Sequence, residues 1–344
     1  MPVQTQLKQI LEGQSPLAQE QARALMEGVL LGEVDEDQLA AMLLALNKRG
    51  ETAAEIAGFV QAMRAAAVQI PLSDTERGTL VDTCGTGGAK GSLLDGAGTF
   101  NISTAVALVA AAAGARVAKH GNRNVTSLCG SADVLDAMGI AIDQQSEQIA
   151  DALRSFGFAF MLAPRMHPAL KQVMPVRKKL GVRTVFNILG PLTNPAGASA
   201  QVMGVYSAHL VPLVAEAMAL LHTRHAFVVH GSDGLDELTI TGPSEVAEVR
   251  GSVVELKRIA PEDAGLEPAP LETLRGGDAR ANAEILNRIF AGEHSPRRDV
   301  VLLNAAAVLM ATEIAGDLHD GVKLAAETID SGAVVQLVER LRQG

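Results

Sequence analysis

The sequence has only two cysteines, Cys84 and Cys129, in 344 residues. Two thiols exclude a disulfide framework, and a reducing cytoplasm is the expected compartment. There is no Cys-x-x-Cys pair and no His-x-x-x-His spacing, which argues against a redox motif or a zinc site. No apolar run is long enough to cross a membrane, since the alanine-rich stretch around Ala110–Ala113 is short and bounded by glycine. The opening MPVQTQLKQILEG lacks the apolar core of a signal peptide. Cationic charge is also in deficit. The 29 Lys and Arg against 39 Asp and Glu give a net charge of −10 and a pI near 5.3. That disfavours a general nucleic-acid surface and leaves room for a local basic pocket. No fixed-period repeat or low-complexity tail is present.

What the chain does have is apolar content, at 48% hydrophobic residues and a mean hydropathy of +0.19, as in a well-packed soluble globule. Its length predicts two domains. Residues 1–70 read as helices. Ser15-Pro16 is expected to cap the segment LAQEQARALMEGVLLG. Asp35 with Gln38 opens a second helix that ends at Lys48-Arg49-Gly50, and Thr52 with Glu55 forms a capping box for a third. No titratable cluster here points to chemistry. From Leu80 onward, short β-like runs alternate with helices. Expected strands are Leu80–Thr83, Arg116–Ala118, Phe158–Leu162, Val202–Tyr206 and Ala226–His230, a pattern that predicts a mainly parallel sheet covered by helices. The segment His167–Gly181 reads as a basic helix carrying Lys171, Arg177, Lys178 and Lys179. Gly190, Pro191 and Pro195 are expected to force a turn after it.

The richest stretch runs from Leu80 to Asp136. Gly85, Thr86, Gly87 and Gly88 follow a strand end and allow backbone to approach a ligand closely, because glycine has no Cβ. Asn101-Ile102-Ser103-Thr104 then opens an apolar helix whose free N–H groups and dipole favour phosphate. A second strand end leads to Lys119, His120, Gly121, Asn122 and Arg123, and Ser127, Gly130 and Ser131 lead a further helix. Two glycine turns, two helix starts and two cations suit a ligand with more than one phosphate. The spacing is not that of a P-loop, since Lys90 is followed by Gly91. Nor is it the dinucleotide fingerprint, since position 90 is not glycine. Downstream, Asp236-Glu237 in HGSDGLDELTITGP places adjacent carboxylates on a glycine-rich loop, a pattern that is either a solvated turn or a Mg²⁺ site completed by substrate phosphates. Cys84 and Cys129 read as small buried residues.

In order, DTCGTGG, TFNIST, KHGNR, GSADVL, MHPA, PVRKKLG, LGP and GxDGLDEL resemble the signature of the anthranilate phosphoribosyltransferases over nearly the whole chain. The resemblance implies an α/β protein of the nucleoside phosphorylase/phosphoribosyltransferase type. A small helical domain of residues 1–72, with 166–185 packing onto it, would join a larger α/β domain of 73–165 and 186–344 with a mainly parallel sheet. It implies transfer of the phosphoribosyl group of 5-phosphoribosyl 1-pyrophosphate to anthranilate, giving N-(5-phosphoribosyl)anthranilate and pyrophosphate in tryptophan biosynthesis. The catalytic set carried over is Lys119, Asp236 and Glu237. Gly85, Gly87, Gly88, Asp95, Gly96, Thr99, Asn101, Ser103, Thr104, Lys119 and Ser131 would bind the donor. Ser103, Asp236 and Glu237 would hold Mg²⁺. Gly85, His120, Asn122, His167, Arg177 and Gly190 would form the anthranilate channel, with the Arg177 guanidinium suited to a carboxylate. The partners implied are these small molecules and a second copy of the chain, as a homodimer through the N-terminal helices, with no nucleic acid and no membrane.

One departure from the family string stands out. Ala89–Leu94 separates GTGG from DGAGTFNIST, so the family's donor-contacting aspartate aligns with Asp95 across a six-residue insertion. Two competing readings fit less well. Pyrimidine nucleoside phosphorylases share the fold but would carry a different second-loop signature, and a non-catalytic nucleic-acid-binding paralogue would need the cationic excess that this chain lacks.

Overall fold

The computed structural model describes residues 3–13, 15–87, 98–123 and 128–344. The N-terminal part is helical: Val3–Leu11, Gln19–Leu31, Glu36–Arg49 and Ala53–Ala65. Asp35 and Thr52 each accept a hydrogen bond from the backbone three residues on and are met in return by Gln38 and Glu55, as the capping-box pattern requires. Ser15-Pro16 does not start a helix. The first helical residue after it is Gln19, with Ala18 at the cap position and no side-chain cap. Proline fits a first turn but does not by itself fix where that turn begins.

Seven strands follow: β1 (Leu80–Gly85), β2 (Arg116–Gly121), β3 (Phe158–Leu162), β4 (Ala200–Gly204), β5 (His225–Gly231), β6 (Ser244–Arg250) and β7 (Val253–Ile259). They form one sheet in the order β3-β2-β1-β4-β5-β6-β7. The first five are mutually parallel, and β6 and β7 close the edge as an antiparallel hairpin. The architecture is a small helical domain with a larger α/β domain. The sequence-based strand at Val202–Tyr206 is shifted, because the ladder with β1 and β5 ends at Gly204. The β6–β7 pair is absent from the sequence-based strand set. Its alternation is diluted by Glu245 and the buried, ion-paired Glu248 in β6 and by Glu255, Lys257 and Arg258 on the exposed edge strand β7.

Alternate residues of the strands face opposite layers. Phe227 and Val229 of β5 join Val81, Val117, Phe160 and the helices Ile102–Ala112 and Pro296–Ala311 in one core. Ala226 and Val228 point the other way, into a core with Leu25, Met26, Leu43, Phe59 and Val60 of the N-terminal helices and Val214 and Met218 of the helix Leu210–Leu220. A third, smaller core holds Leu80, Ala118, Ala159 and Met161. Among the described residues no helix is long and apolar enough to cross a membrane.

Two expected features around the site differ in detail. His167–Gly181 is not one helix. It is a 3-10 segment, Pro168–Gln172, followed by the helix Met174–Leu180, with Pro168 and Pro175 each at a helix start where a missing N–H is harmless. Gly190 and Pro191 do not form the turn. The helix Val185–Leu192 runs through them, with Pro191 in its last turn, and Thr193 then bonds back to the Gly190 carbonyl through its N–H and its hydroxyl.

Candidate active site

In this strand order the chain leaves β1 toward β2 and β3 on one side and returns as β4 on the other. The crevice beyond the carboxyl ends of β1 and β4 is therefore the topological switch point, where α/β sheets of this kind bind ligands. The turn after β1 is pinned there. Thr86 donates its N–H to Gly204 O at 3.0 Å, and its hydroxyl accepts the Tyr206 N–H at 2.9 Å. The Gly87 N–H donates to Asp236 Oδ2 at 2.9 Å, so the GTGG turn and the DE turn are in contact. Two glycines make this contact possible. A Cβ on Gly85 would stand 3.0 Å from the Asp236 carboxyl carbon, and one on Gly204 would overlap the Asp236 carbonyl and stand 3.0 Å from its Cα.

Lys119 and His120 are successive residues of β2, so they face opposite sides of the sheet. Lys119 is 1% exposed. Its ammonium donates to Thr83 O at 2.5 Å, to the Thr83 hydroxyl at 3.4 Å and to Ser103 Oγ at 3.2 Å. Burial lowers its pKa from the ordinary lysine value, while Asp82, Cys84 and Glu237 pull it back up. Ser103 lies in the first turn of the helix Ile102–Ala112. Burial pushes the Glu237 carboxyl up to about 8, helped by the like charge of Asp236, while Lys119 and a Ser103 backbone hydrogen bond oppose the shift. On the other side of the sheet, the His120 and His167 rings lie 5.0 Å apart at 58°. Burial holds His120 down to about 3, with His167 adding to the shift, and holds His167 down to about 4. Both rings are neutral at pH 7, and the Nε2 of each is buried with no hydrogen-bond partner among the described residues.

The remaining sequence-derived residues divide as follows. Asn101 donates to Cys129 O at 3.2 Å and accepts from Asn282 at 2.8 Å. Thr99 bridges to Arg275, and Thr104 is fully buried with no partner for its hydroxyl among the described residues. Ser131 donates to Asn122 O at 3.4 Å at the end of β2. The Arg177 guanidinium lies 5.4 Å over the Phe186 ring and forms no ion pair among the described residues. Gly190 faces open space, with no atom within 4 Å of where a side chain would begin. Gly88, Asp95, Gly96, the Ala89–Leu94 segment and Ser127 lie outside the described residues. Cys129 is buried and Cys84 half-buried. Burial raises both thiols, which keeps them protonated and unreactive. Sequence reasoning missed Thr83, the main acceptor for Lys119, and the buried Asp82. A carboxylate following the apolar pair Leu80–Val81 was the available signal for the second.

A mainly parallel sheet with its switch-point crevice lined by a phosphate-type turn, a helix start, a buried lysine and paired carboxylates defines a glycosyl-group transferase. The glycosyl transferase family's α/β domain matches residues 77–335, and its helical bundle domain matches residues 4–67. The anthranilate phosphoribosyltransferase of Symbiobacterium thermophilum is 49% identical over 337 residues, covering 98% of this chain and 96% of the relative. The crystal structure of the Thermus thermophilus anthranilate phosphoribosyltransferase matches with a TM-score of 0.89 at 42% identity over 98% of both chains. The Saccharomyces cerevisiae enzyme in complex with phosphoribosyl pyrophosphate and Mg matches with a TM-score of 0.86 at 27% identity, over 99% of this chain and 97% of that one. The same yeast enzyme has been solved with 4-fluoroanthranilate. The chain belongs to the anthranilate phosphoribosyltransferase family.

Proposed function

We propose that the switch-point cleft transfers the phosphoribosyl group of 5-phosphoribosyl 1-pyrophosphate to the amine of anthranilate, releasing pyrophosphate, with the donor on one side of β2 and the acceptor on the other. The observation that carries this reading is the pairing of Lys119 with Ser103 on one face of β2 and of His120 with His167 on the opposite face. Gly85, Gly87, Asn101, Ser103, Lys119 and Ser131 are assigned to the donor, together with Gly88, Asp95, Gly96, Thr99 and Thr104 by family resemblance. Gly85, His120, Asn122, His167, Arg177 and Gly190 are assigned to the acceptor, Gly85 serving both substrates.

The chemistry follows from the charges. The aromatic amine is neutral near pH 7 and needs no strong base to attack the ribose C1 carbon. The neutral imidazoles of His120 and His167 offer unpartnered nitrogens to it without placing a cation beside the nucleophile. Arg177 offers its guanidinium to the anthranilate carboxylate. As the C–O bond to pyrophosphate lengthens, negative charge grows on the leaving group. Backbone N–H groups of the glycine turn and helix start stabilise it, and so does Lys119 once its Ser103 bond is exchanged for a phosphate oxygen. Holding both substrates in line supplies much of the remainder. Ser103, Asp236 and Glu237 provide oxygen ligands only, two of them crowded carboxylates whose mutual repulsion a cation would relieve, and this donor set fits Mg²⁺. When bound there, Mg²⁺ supplies positive charge against the pyrophosphate. Among the described residues no group of three His, Cys, Asp or Glu side chains is preassembled for a metal.

The same reading takes residues 1–72 with 166–185 as the helical domain and 73–165 with 186–344 as the α/β domain. It includes a homodimer through the helical domain, where Leu11, Leu31 and Leu44 are exposed, together with a cytoplasmic location and no nucleic-acid or membrane partner. The test is loss of anthranilate fluorescence in the presence of phosphoribosyl pyrophosphate and Mg²⁺. Asp236→Asn with Glu237→Gln should fold and lose roughly 10²–10³ of the rate, the scale of a lost transition-state stabiliser. Wild-type protein that consumes no anthranilate would refute the function, and an undiminished double variant would refute the carboxylate assignment.

A further inference from the structure

Asp82 is fully buried in the central strand β1, and it forms no ion pair among the described residues. A carboxylate in such a place is costly unless its oxygens are met. On β1 it alternates with Thr83. Thr83 faces the Lys119 side, so Asp82 faces the His120 side. Its Oδ1 accepts the backbone N–H of His120 at 3.2 Å, and the Cys84 thiol lies 3.5 Å from its Oδ2. Burial pushes the Asp82 pKa up from the ordinary aspartate value, and the nearby Asn194 amide opposes that shift.

Those partners reach further. Asn194 Nδ2 donates to Ala118 O at 2.7 Å, and its Oδ1 accepts the Ala196 N–H at 2.9 Å. Gln201 stands directly opposite Asp82 in the β1–β4 register and donates to Pro191 O at 2.8 Å and to the Cys84 sulfur at 3.0 Å. One buried web therefore grips β2 at His120 and the chain at Pro191 and Asn194. Between those last two lies Thr193, whose backbone is close enough to His167 to oppose the shift that burial imposes on it. One residue before Pro191 is Gly190, whose backbone likewise opposes the shift that burial imposes on His120.

We infer that Asp82, with Asn194 and Gln201, is a positioning residue for anthranilate: it fixes His120 against the Gly190–Thr193 wall and so sets the width of the acceptor pocket without touching either substrate. The inference rests on the acceptor assignment above. Lys119 and Ser103 lie on the far face of the sheet and keep their hydrogen bonds when the web is cut. The Asp82 charge also holds the Lys119 pKa up, so the variant that leaves the donor side unchanged is Gln201→Met.

The experiment measures both KM values and the fluorescence titration of anthranilate for Asp82→Asn, Gln201→Met and the benchmark His120→Ala, with thermal unfolding of each. Asp82→Asn keeps the size but turns an amide N–H toward the Asn194 amide. The expected result for Gln201→Met is an anthranilate KM and Kd raised roughly tenfold, the scale of a lost buried hydrogen bond, with the phosphoribosyl pyrophosphate KM held within about twofold; Asp82→Asn should show the same anthranilate rise. If Asp82→Asn does not fold, Gln201→Met, which frees Pro191 O from the opposite side, carries the test alone. Equal rises in both KM values of Gln201→Met, or a lowered Tm with anthranilate affinity unchanged, would overturn the inference. An unchanged anthranilate KM in His120→Ala would overturn the acceptor assignment itself, and the inference with it.

Discussion

Gly204→Ala probes the contact between β4 and the carboxylate turn without removing a polar group. The added methyl would overlap the carbonyl of Asp236 and stand 3.0 Å from its Cα, where ordinary contacts begin at 3.4 Å. Backbone is met here, so no side-chain rotation relieves the clash. β4 is held on both sides by β1 and β5 and cannot retreat. The Asp236 turn has to give way, by about 1–2 Å, and misplacement on that scale costs on the order of 10²-fold in rate. The Gly87 N–H bond to Asp236 Oδ2, at 2.9 Å, would be lost in the same movement. The expected variant is folded, with kcat/KM for phosphoribosyl pyrophosphate down about a hundredfold and a raised Mg²⁺ requirement. Initial rates from anthranilate fluorescence across a Mg²⁺ series, with circular dichroism as the folding control, read this directly. A folded Gly204→Ala protein within about threefold of wild type, about 0.6 kcal/mol, would show that the two turns do not need their observed spacing.

Arg177→Ala should raise the anthranilate KM well beyond the phosphoribosyl pyrophosphate KM, whereas Lys178→Ala should do little. A larger effect on the donor would move Arg177 to the phosphate side. His120 and His167, held at about 3 and about 4 against an ordinary 6.5, refuse protons that the unfolded chain accepts. Their contribution to stability is therefore whole above pH 6.5 and is lost as pH falls toward about 4 for His167 and about 3 for His120, on the order of 5–10 kcal/mol in all. Urea midpoints should drop over that window and drop less in His167→Gln, and an equal drop in the variant would contradict the assignment. Deletion of residues 89–94 should leave an active enzyme with an equal or lower KM for phosphoribosyl pyrophosphate, since loop length costs only about 0.6 kcal/mol per doubling. A folded deletion variant without turnover would show that those residues build the site.

The fold class was legible because β1 to β5 are apolar runs separated by helix-length segments, and because Asp35 and Thr52 announce their helices. The β6–β7 hairpin was not, since β7 is an exposed edge strand that carries charges and the buried β6 has glutamates among its aliphatics. Lys119, Ser103, Asp236 and Glu237 were legible through motif order rather than through any local property. Their meeting depends on strand order, which no single segment encodes. Asp82 and Gln201 were missed for the same reason: each is an isolated polar residue in its own strand, and only the β1–β4 register makes them neighbours.

The second hydrophobic core has its own consequence. Phe59 and Val60 of the helical segment share it with Val214 and Met218 of the α/β segment and with Val228 and Val249 of the sheet. The boundary between the two family matches, near residue 70, therefore runs through a shared hydrophobic core. Excised at that point, the helices would present an oily face to water, and the sheet would lose the cover of one side. The shared core leads us to expect one thermal transition for the two segments together.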